Sequence, residues 1–232
     1  LVGGGISLHD KGEFKAAIVK YDKALSENPE SILALGEKAY SLMMLNKYEE
    51  VIKTCKKCFK IAPNSDELKT IYTTYANSYD MMGQPGKALK AYDEGLEVFP
   101  DYYHLYFNKG ITLIQMEKYV KAITNFEKAV KLNPKHPGSL NALARVLYVK
   151  GMKIPALMVF SRFYIIEPEG KRAQLNMPYI EDITKGNAQK TGRNSVTINL
   201  DATALPEEGE LEKQPNDFKT ISLILTLNSG MG

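Results

Sequence analysis

The stretch from Lys87 to Pro134, KALKAYDEGLEVFPDYYHLYFNKGITLIQMEKYVKAITNFEKAVKLNP, decides the fold, because its second half restates its first. Residues of the same kind recur 34 positions apart: Ala88 and Ala122, Tyr92 and Phe126, Gly95 and Ala129, Pro100 and Pro134. A fixed period of this length is typical of stacked structural repeats. The period predicts the architecture. It does not predict the partner, because one repeat scaffold serves many functions.

Prolines at the same point of the pattern divide most of the chain into five repeats. They are spaced by 34, 37, 34 and 34 residues: Pro29, Pro63, Pro100, Pro134 and Pro168. The repeats cover residues 1–31, 32–65, 69–102, 103–136 and 137–170. The three additional residues before repeat 3, Asp66 to Leu68, are expected in the turn between repeats, where extra length costs little.

Each repeat carries the pattern of two amphipathic helices. With the proline numbered as position 32, the first helix has large, small and large residues at positions 4, 8 and 11, which share one face. The second helix buries positions 20, 24 and 27, and small residues at 8 and 20 let the two helices approach closely. Near position 15 stand residues that favour the left-handed conformation at a helix end: Gly12, Asn46, Gly83 and Gly151. The proline then blocks continuation of the second helix.

These residues resemble the tetratricopeptide repeat family over about residues 1–170. The resemblance implies an α-α superhelix of five helix pairs that acts as a non-catalytic protein-interaction scaffold. Leu or Tyr stands at position 4, where the family has tryptophan. Pro85 and Lys153 stand where an aromatic residue is usual, so we expect looser packing at the turns of repeats 3 and 5.

After Gly170 the repeat pattern stops. Residues 171–185 are expected to form a capping helical segment over the apolar edge that a stack of repeats exposes. The sequence leaves two alternatives open for this segment, because Pro178 allows either one helix or two short ones.

Residues 186–232 are expected to form a linker and a β-hairpin-like C-terminal part. Apolar residues alternate in two stretches, which is typical of strands: 196–201 and 218–227. Two strands alone are marginally stable in water. They are therefore expected to pack on the repeats, on another chain or on residues beyond Gly232, and a truncated β part is favoured. The predicted fold class is mainly α, with this β part at the end.

The composition is that of an ordinary globular protein. Apolar residues make up 44% and charged residues 25%, and the net charge is +3, so charge alone indicates no nucleic-acid or membrane partner. No run approaches the roughly 20 apolar residues that span a bilayer. Leu1 already lies inside a repeat, so the compartment stays open: cytoplasmic, or periplasmic or exported if an N-terminal signal has been removed.

Residue patterns for catalysis, a metal or a cofactor are not found, and a non-enzyme is expected. Cys55 and Cys58 form a CxxC, but they lie mid-helix at positions 24 and 27 of repeat 2, where free cysteine suits core packing. His9, His104 and His136 fall in different repeats without the spacing of metal ligands.

The concave groove is the predicted binding surface. In this family it is lined by first-helix positions 2, 5, 9, 12 and 13, which here carry large apolar and aromatic residues that the core does not require. The predicted contacts with a protein or peptide segment are Tyr40, Met44, Asn77, Phe107, Asn108, Ile111, Arg145 and Tyr148. The alternative is a structural or oligomerisation platform. Its groove would be filled by its own or a neighbour's C-terminal segment, with homo-oligomers forming through the C-terminal strands.

One variant of the family, which clamps a partner's C-terminal carboxylate, is not expected here. Asn77 and Asn108 match its two asparagines, but Thr73, Gly138 and Ala142 stand in place of its cations. Without charge-assisted bonds, the groove fits an apolar or polar segment better. A nucleic-acid partner is not expected either, because the groove face has no basic stripe.

Overall fold

The computed structural model describes residues 1–63 and 65–185, and the backbone of three strands further on. The molecule is mainly α-helical. Its helices are α1 (Val2–Asp10), α2 (Phe14–Glu27), α3 (Ile32–Met44), α4 (Tyr48–Ile61), α5 (Leu68–Met81), α6 (Pro85–Val98), α7 (Tyr103–Gln115), α8 (Tyr119–Leu132), α9 (Pro137–Val149), α10 (Lys153–Ile166) and α11 (Lys171–Lys185). Each of the five predicted repeats therefore has its two helices.

The chain forms two compact units, Leu1–Glu117 and Lys118–Gly232. We call them the N-terminal and the C-terminal unit. In the N-terminal unit the first helices of successive repeats lie beside one another, since α3 contacts both α1 and α5, and α5 contacts α7. The second helices, α2, α4 and α6, pack against the first helices on either side of them.

Small residues at positions 8 and 20 hold the helix pairs of the N-terminal unit together. A Cβ built on Gly5 would lie 2.8 Å from Cδ1 of Tyr21, a distance that real Cβ atoms do not reach. Ala17, Ala39 and Ala76 are completely buried. The predicted close approach of the paired helices is confirmed.

Helix ends follow the predicted pattern with one addition. Gly12, Asn46, Gly83 and Gly151 all have positive φ, between 59° and 79°, as predicted. Repeat 4 reaches the same conformation with Glu117, at φ 58°, although a side chain with a Cβ is strained there. No residue type in this stretch predicts the turn.

The boundary of repeat 3 needs a correction. Leu68 is the first residue of α5 and is completely buried, so only Asp66 and Glu67 remain in the turn before this helix. Burying one more leucine extends the helix by one residue beyond the predicted start, because burial of its side chain favours the helical conformation there.

The C-terminal unit is built on large aromatic side chains. Phe160 and Phe163 of α10 are completely buried, and Leu140 of α9 and Ala173 of α11 pack in the same region as Phe163. Residues 171–185 form one continuous helix rather than two. The backbone N–H that Pro178 lacks would have bonded to the carbonyl of Gln174, and both residues are exposed, so the helix continues past the proline without burying an unpaired carbonyl.

Three short strands follow in the backbone: β1 (Ala188–Lys190), β2 (Ser195–Ile198) and β3 (Leu225–Asn228). They pair antiparallel in the order β1-β2-β3, with Thr197 opposite both Gln189 and Thr226. β1 lies in the segment predicted as a linker. Residues 218–224 of the second predicted strand lie outside the described residues, and truncation of the β part stays a prediction.

Candidate functional site

The groove face of the N-terminal unit consists of the first-helix residues of α1, α3, α5 and α7 at positions 2, 5, 6, 9, 12 and 13. Four large apolar side chains on this face are exposed by 41% to 66%: Leu33, Tyr40, Met44 and Met81. The Tyr40 ring stacks on His9 of the preceding repeat, with 4.7 Å between centroids. Exposed side chains of this size, close together on adjacent helices, form a surface suited to protein contacts.

Asn77 lies half-buried on this face and accepts a hydrogen bond from α6, the second helix of its repeat. The Tyr92 hydroxyl of α6 donates to Oδ1 of Asn77 at 2.5 Å. Burial raises the pKa of Tyr92 well above its usual range, so the phenol keeps its proton and remains a donor. The bond fixes the orientation of the Asn77 amide, which directs its N–H groups away from Tyr92.

Sequence reasoning missed Asp80, which lies one turn after Asn77 at position 12. Its Oδ2 accepts a hydrogen bond from Thr112 of α7, whereas Oδ1 is buried and has no hydrogen-bond partner among the described residues. Burial raises the pKa of Asp80, and the bond from Thr112 opposes this rise. His9 and Ser41 repeat the arrangement 32 residues apart, with Nδ1 and Oγ separated by 2.7 Å. The sequence signal for both contacts is a polar residue at position 10 of the first helix, Ser41 in repeat 2 and Thr112 in repeat 4.

The three predicted contacts on α7 are half-buried: Phe107, Asn108 and Ile111. Nδ2 of Asn108 donates to the carbonyl of His104 at 2.8 Å, so its side chain folds back along its own helix. Burial lowers the pKa of His104 and keeps the imidazole neutral near pH 7. The α7 part of the groove face is therefore uncharged.

The groove face carries acids but no Lys or Arg among its described positions. Its carboxylates are Asp10, Glu37 and Asp80, and none forms an ion pair with a described residue. Burial and the nearby carboxylates of Glu37 and Asp10 raise the pKa of Tyr21 to about 12. The groove face of this unit is thus mildly acidic.

The two predicted contacts in the C-terminal unit, Arg145 and Tyr148, are bonded to α11. Nη2 of Arg145 donates to the Tyr179 hydroxyl at 3.2 Å, and the guanidinium lies 5.5 Å from the centre of that ring. The Tyr148 hydroxyl donates to Oδ2 of Asp182 at 2.8 Å. Each pair is separated by 34 residues, so α11 lies against α9 as the first helix of a further repeat would.

Asp182 is the centre of these contacts. Hydrogen bonds from Tyr148 and Lys153 lower the pKa of its carboxyl group, and the Lys153 ion pair measures 3.1 Å. A buried bond from Nδ2 of Asn176 to Oδ1 of Asn141, at 2.7 Å, fixes the other end of α11. Arg145 and Tyr148 therefore have partners within their own unit.

The CxxC pair is part of the core. Cys55 and Cys58 are completely buried, and burial raises the pKa of both thiols, that of Cys58 to about 11. Thiols of this kind are unreactive. Within the described ranges no group of three His, Cys, Asp or Glu residues could hold a metal ion, and no helix is long and apolar enough to cross a membrane.

Paired helices in a 34-residue register, with exposed apolar residues on the first helices, define a helical repeat protein with a binding face. Residues 33–65 and 104–136 each match the sequence model of the tetratricopeptide repeat. The chain therefore contains tetratricopeptide repeats, helical units that stack on their neighbours.

Relatives share these repeats within longer proteins. The Protein STIP1 homolog of Dictyostelium discoideum is 29% identical over 56% of this chain and 28% of its own length. The human Protein O-mannosyl-transferase TMTC1 is 28% identical over 78% of this chain and 21% of its own length. The chain thus spans about a quarter of these relatives. The solved structure of PilF from Pseudomonas aeruginosa shares the fold, with a TM-score of 0.67 and 20% identity over 78% of this chain and 82% of PilF.

Proposed function

We propose that this chain is a non-catalytic scaffold that binds a segment of a partner protein on the groove face of its N-terminal unit. The observation that carries the proposal is the exposure of Leu33, Tyr40, Met44 and Met81 on adjacent first helices. The core does not use these side chains, and aromatic and Met residues are enriched where proteins meet other proteins.

The eight proposed contact residues differ in how accessible their side chains are to a partner. Tyr40 and Met44 offer open apolar surface, and Asn77 offers an amide whose orientation Tyr92 fixes. Phe107, Asn108 and Ile111 extend the surface along α7. A partner that uses Arg145 or Tyr148 has to compete with Tyr179 and Asp182 for the same hydrogen-bonding groups, so we give these two residues a smaller part in binding.

The charge of the groove face restricts the kind of partner. Asp10, Glu37 and Asp80 lie there without a neighbouring Lys or Arg on that face. A C-terminal carboxylate would meet repulsion instead of charge-assisted bonds. We therefore propose an internal, largely apolar segment bound in helical or extended form.

A peptide-display selection against the full chain, followed by calorimetric titration of the selected peptide, tests this function. Tyr40→Ala with Phe107→Ala removes two large contact side chains and should weaken binding about tenfold or more. Val19→Ala with Val98→Ala is the matched control, because both valines are exposed on second helices. Equal affinity for the wild type and the Tyr40/Phe107 variant would contradict the proposal.

A second candidate function is an oligomerisation platform that uses the C-terminal strands. Its support is the antiparallel order β1-β2-β3, whose two outer strands each have one unpaired edge in the described backbone, and such edges add strands from other chains. Light scattering should then show a mass that rises with concentration. Thr197→Pro in the central strand should abolish the rise, because proline cannot join the ladder. A constant monomer mass would exclude this candidate.

A further inference from the structure

Helix α4 carries a row of lysines beside a cleft in the N-terminal unit. Lys53 is followed by lysines three, four and seven residues later, at 56, 57 and 60, and this spacing places all four on one helical face. Together with Lys38 of α3 they line a cavity of about 650 Å³ between α3 and α4. We call these five lysines and their cavity the lysine cleft.

Most of the charge in the lysine cleft is not neutralised. Lys38 pairs with Asp22, and Lys57 donates to the carbonyl of Pro29 at 2.8 Å. Lys53, Lys56 and Lys60 have no ion pair or hydrogen bond with any described residue. Glu50, the acid in the lining, is already bonded to Lys47 at 2.8 Å.

The fold does not require this row. Like charges three or four residues apart destabilise a helix, and the acids of α4 are confined to its first turn. The equivalent helix of repeat 3, α6, instead mixes the two signs: Lys87, Lys90, Asp93, Glu94 and Glu97. Lys56 and Lys57 have other lysines but no acid three or four residues away on α4, and this repulsion without compensation indicates a use other than folding.

We propose that the lysine cleft binds an acidic segment of a protein partner. Carboxylates of the segment pair with Lys53, Lys56 and Lys60, and an apolar side chain between them contacts the aliphatic stems of these lysines. This surface lies between α3 and α4 and is separate from the groove face. It gives the scaffold a second docking surface of opposite charge.

Two features favour an acidic protein segment over a phosphate ligand or a nucleic acid. The cleft lining has no arginine, whose planar fork matches phosphate oxygens. From Lys53 to Lys60 the row extends about 10 Å along α4, which is shorter than the basic face that a nucleic-acid duplex contacts. The aliphatic stems of the lysines suit a chain that alternates carboxylates with leucine-like side chains.

Fluorescence anisotropy on the full chain tests the proposal. The probe is a labelled peptide of alternating Glu, Asp and Leu, measured at low and at physiological salt. Lys53→Gln, Lys56→Gln and Lys60→Gln together should weaken its binding about tenfold, the sum of three exposed charge contacts. The matched control neutralises three exposed lysines elsewhere in the unit, Lys11→Gln, Lys15→Gln and Lys90→Gln, and should change the affinity less than twofold.

Other outcomes would overturn the proposal. Equal weakening by both triple variants would mean that net charge alone attracts the peptide. Tighter binding of pyrophosphate or of a single-stranded RNA oligonucleotide than of the acidic peptide would assign the cleft to phosphate. Tyr40→Ala should leave acidic-peptide binding unchanged, and a loss there would place the peptide on the groove face instead. Circular dichroism should show that the cleft variant is folded, because removing like charges from α4 relieves repulsion.

Discussion

The two units present the same repeat positions in different states. In the N-terminal unit, Tyr40 and Met44 at positions 9 and 13 remain exposed. In the C-terminal unit, Arg145 and Tyr148 at positions 9 and 12 are bonded to Tyr179 and Asp182 of α11. The repeat register determines where a side chain lies, and the neighbouring helix determines whether it is available to a partner.

The first prediction removes the anchor of α11. Ile183 is completely buried, so Ile183→Ala should destabilise the C-terminal unit by about 2–5 kcal/mol through lost burial and the cavity it leaves. Hydrogen exchange should then speed up in α11, and Arg145 and Tyr148 should lose their bonds to it. Urea unfolding and exchange mass spectrometry measure the two effects.

Leu175→Ala on the same helix is the control, because Leu175 is more than half exposed and its truncation should cost well under 1 kcal/mol. If Ile183→Ala left exchange in α11 unchanged, the hydrogen bonds of Tyr179 and Asp182 would have to hold the helix without the buried side chain. The contrast between the two units would then rest on those bonds alone.

The second prediction disturbs the edge of the groove face in the N-terminal unit. Gly5→Ala forces a Cβ against the buried Tyr21 ring and should cost roughly 1–3 kcal/mol, as overpacking does. Gly4→Ala places the same methyl group in open space and should stabilise α1 by about 0.5–1 kcal/mol. Thermal unfolding of the two variants should move in opposite directions, and a shared direction would refute the assigned contact with Tyr21.

The third prediction concerns Glu117, the last residue of the N-terminal unit. Glu117 has a φ of 58°, so Glu117→Gly relieves the strain that a side chain with a Cβ has in the left-handed conformation. Glycine also makes the unfolded chain more flexible, which offsets part of this gain. The protein should therefore be stabilised by about 0.5–1 kcal/mol. Gly83→Ala introduces the same strain at φ 68° and should lower stability by a similar amount. Denaturant midpoints compare the two, and a loss of stability in Glu117→Gly would contradict the conformation.

Much of the fold followed from the sequence because one period fixes many positions at once. The buried alanines and four of the left-handed turns occupy the predicted positions. Glu117 was missed because glutamate is not a residue type that favours the left-handed conformation. The additional helical residue at Leu68 depends on burial that only the packed helices provide.

The candidate site was less predictable because its contacts connect repeats. Asp80 and Thr112 are 32 residues apart, an offset that a comparison at 34 residues does not align. The bonds of Arg145 and Tyr148 do obey the 34-residue offset. They were missed because the apolar pattern ends at Gly170, and α11 continues the register with polar residues. Whether the eight predicted contacts bind a partner stays a prediction.

The smallest predicted changes in stability come from Asp80 and Asp182, which both lie at position 12 of their repeat register. The two changes should have opposite signs. Burial raises the pKa of Asp80 above the ordinary value of 3.8. Between these two pKa values the folded state binds more protons than the unfolded state, so the stability of the protein falls as pH rises through that range. Hydrogen bonds lower the pKa of Asp182, so its contribution is present above the ordinary pKa and is lost as pH falls. Asp80→Asn should therefore raise the melting temperature at pH 7, and this gain should disappear near pH 3. Asp182→Asn should lower the melting temperature at pH 7 and have little effect near pH 3. Calorimetric melting of both variants across this pH range measures the two changes in melting temperature. Changes in the same direction at pH 7 would contradict the opposite effects assigned to the surroundings of Asp80 and Asp182.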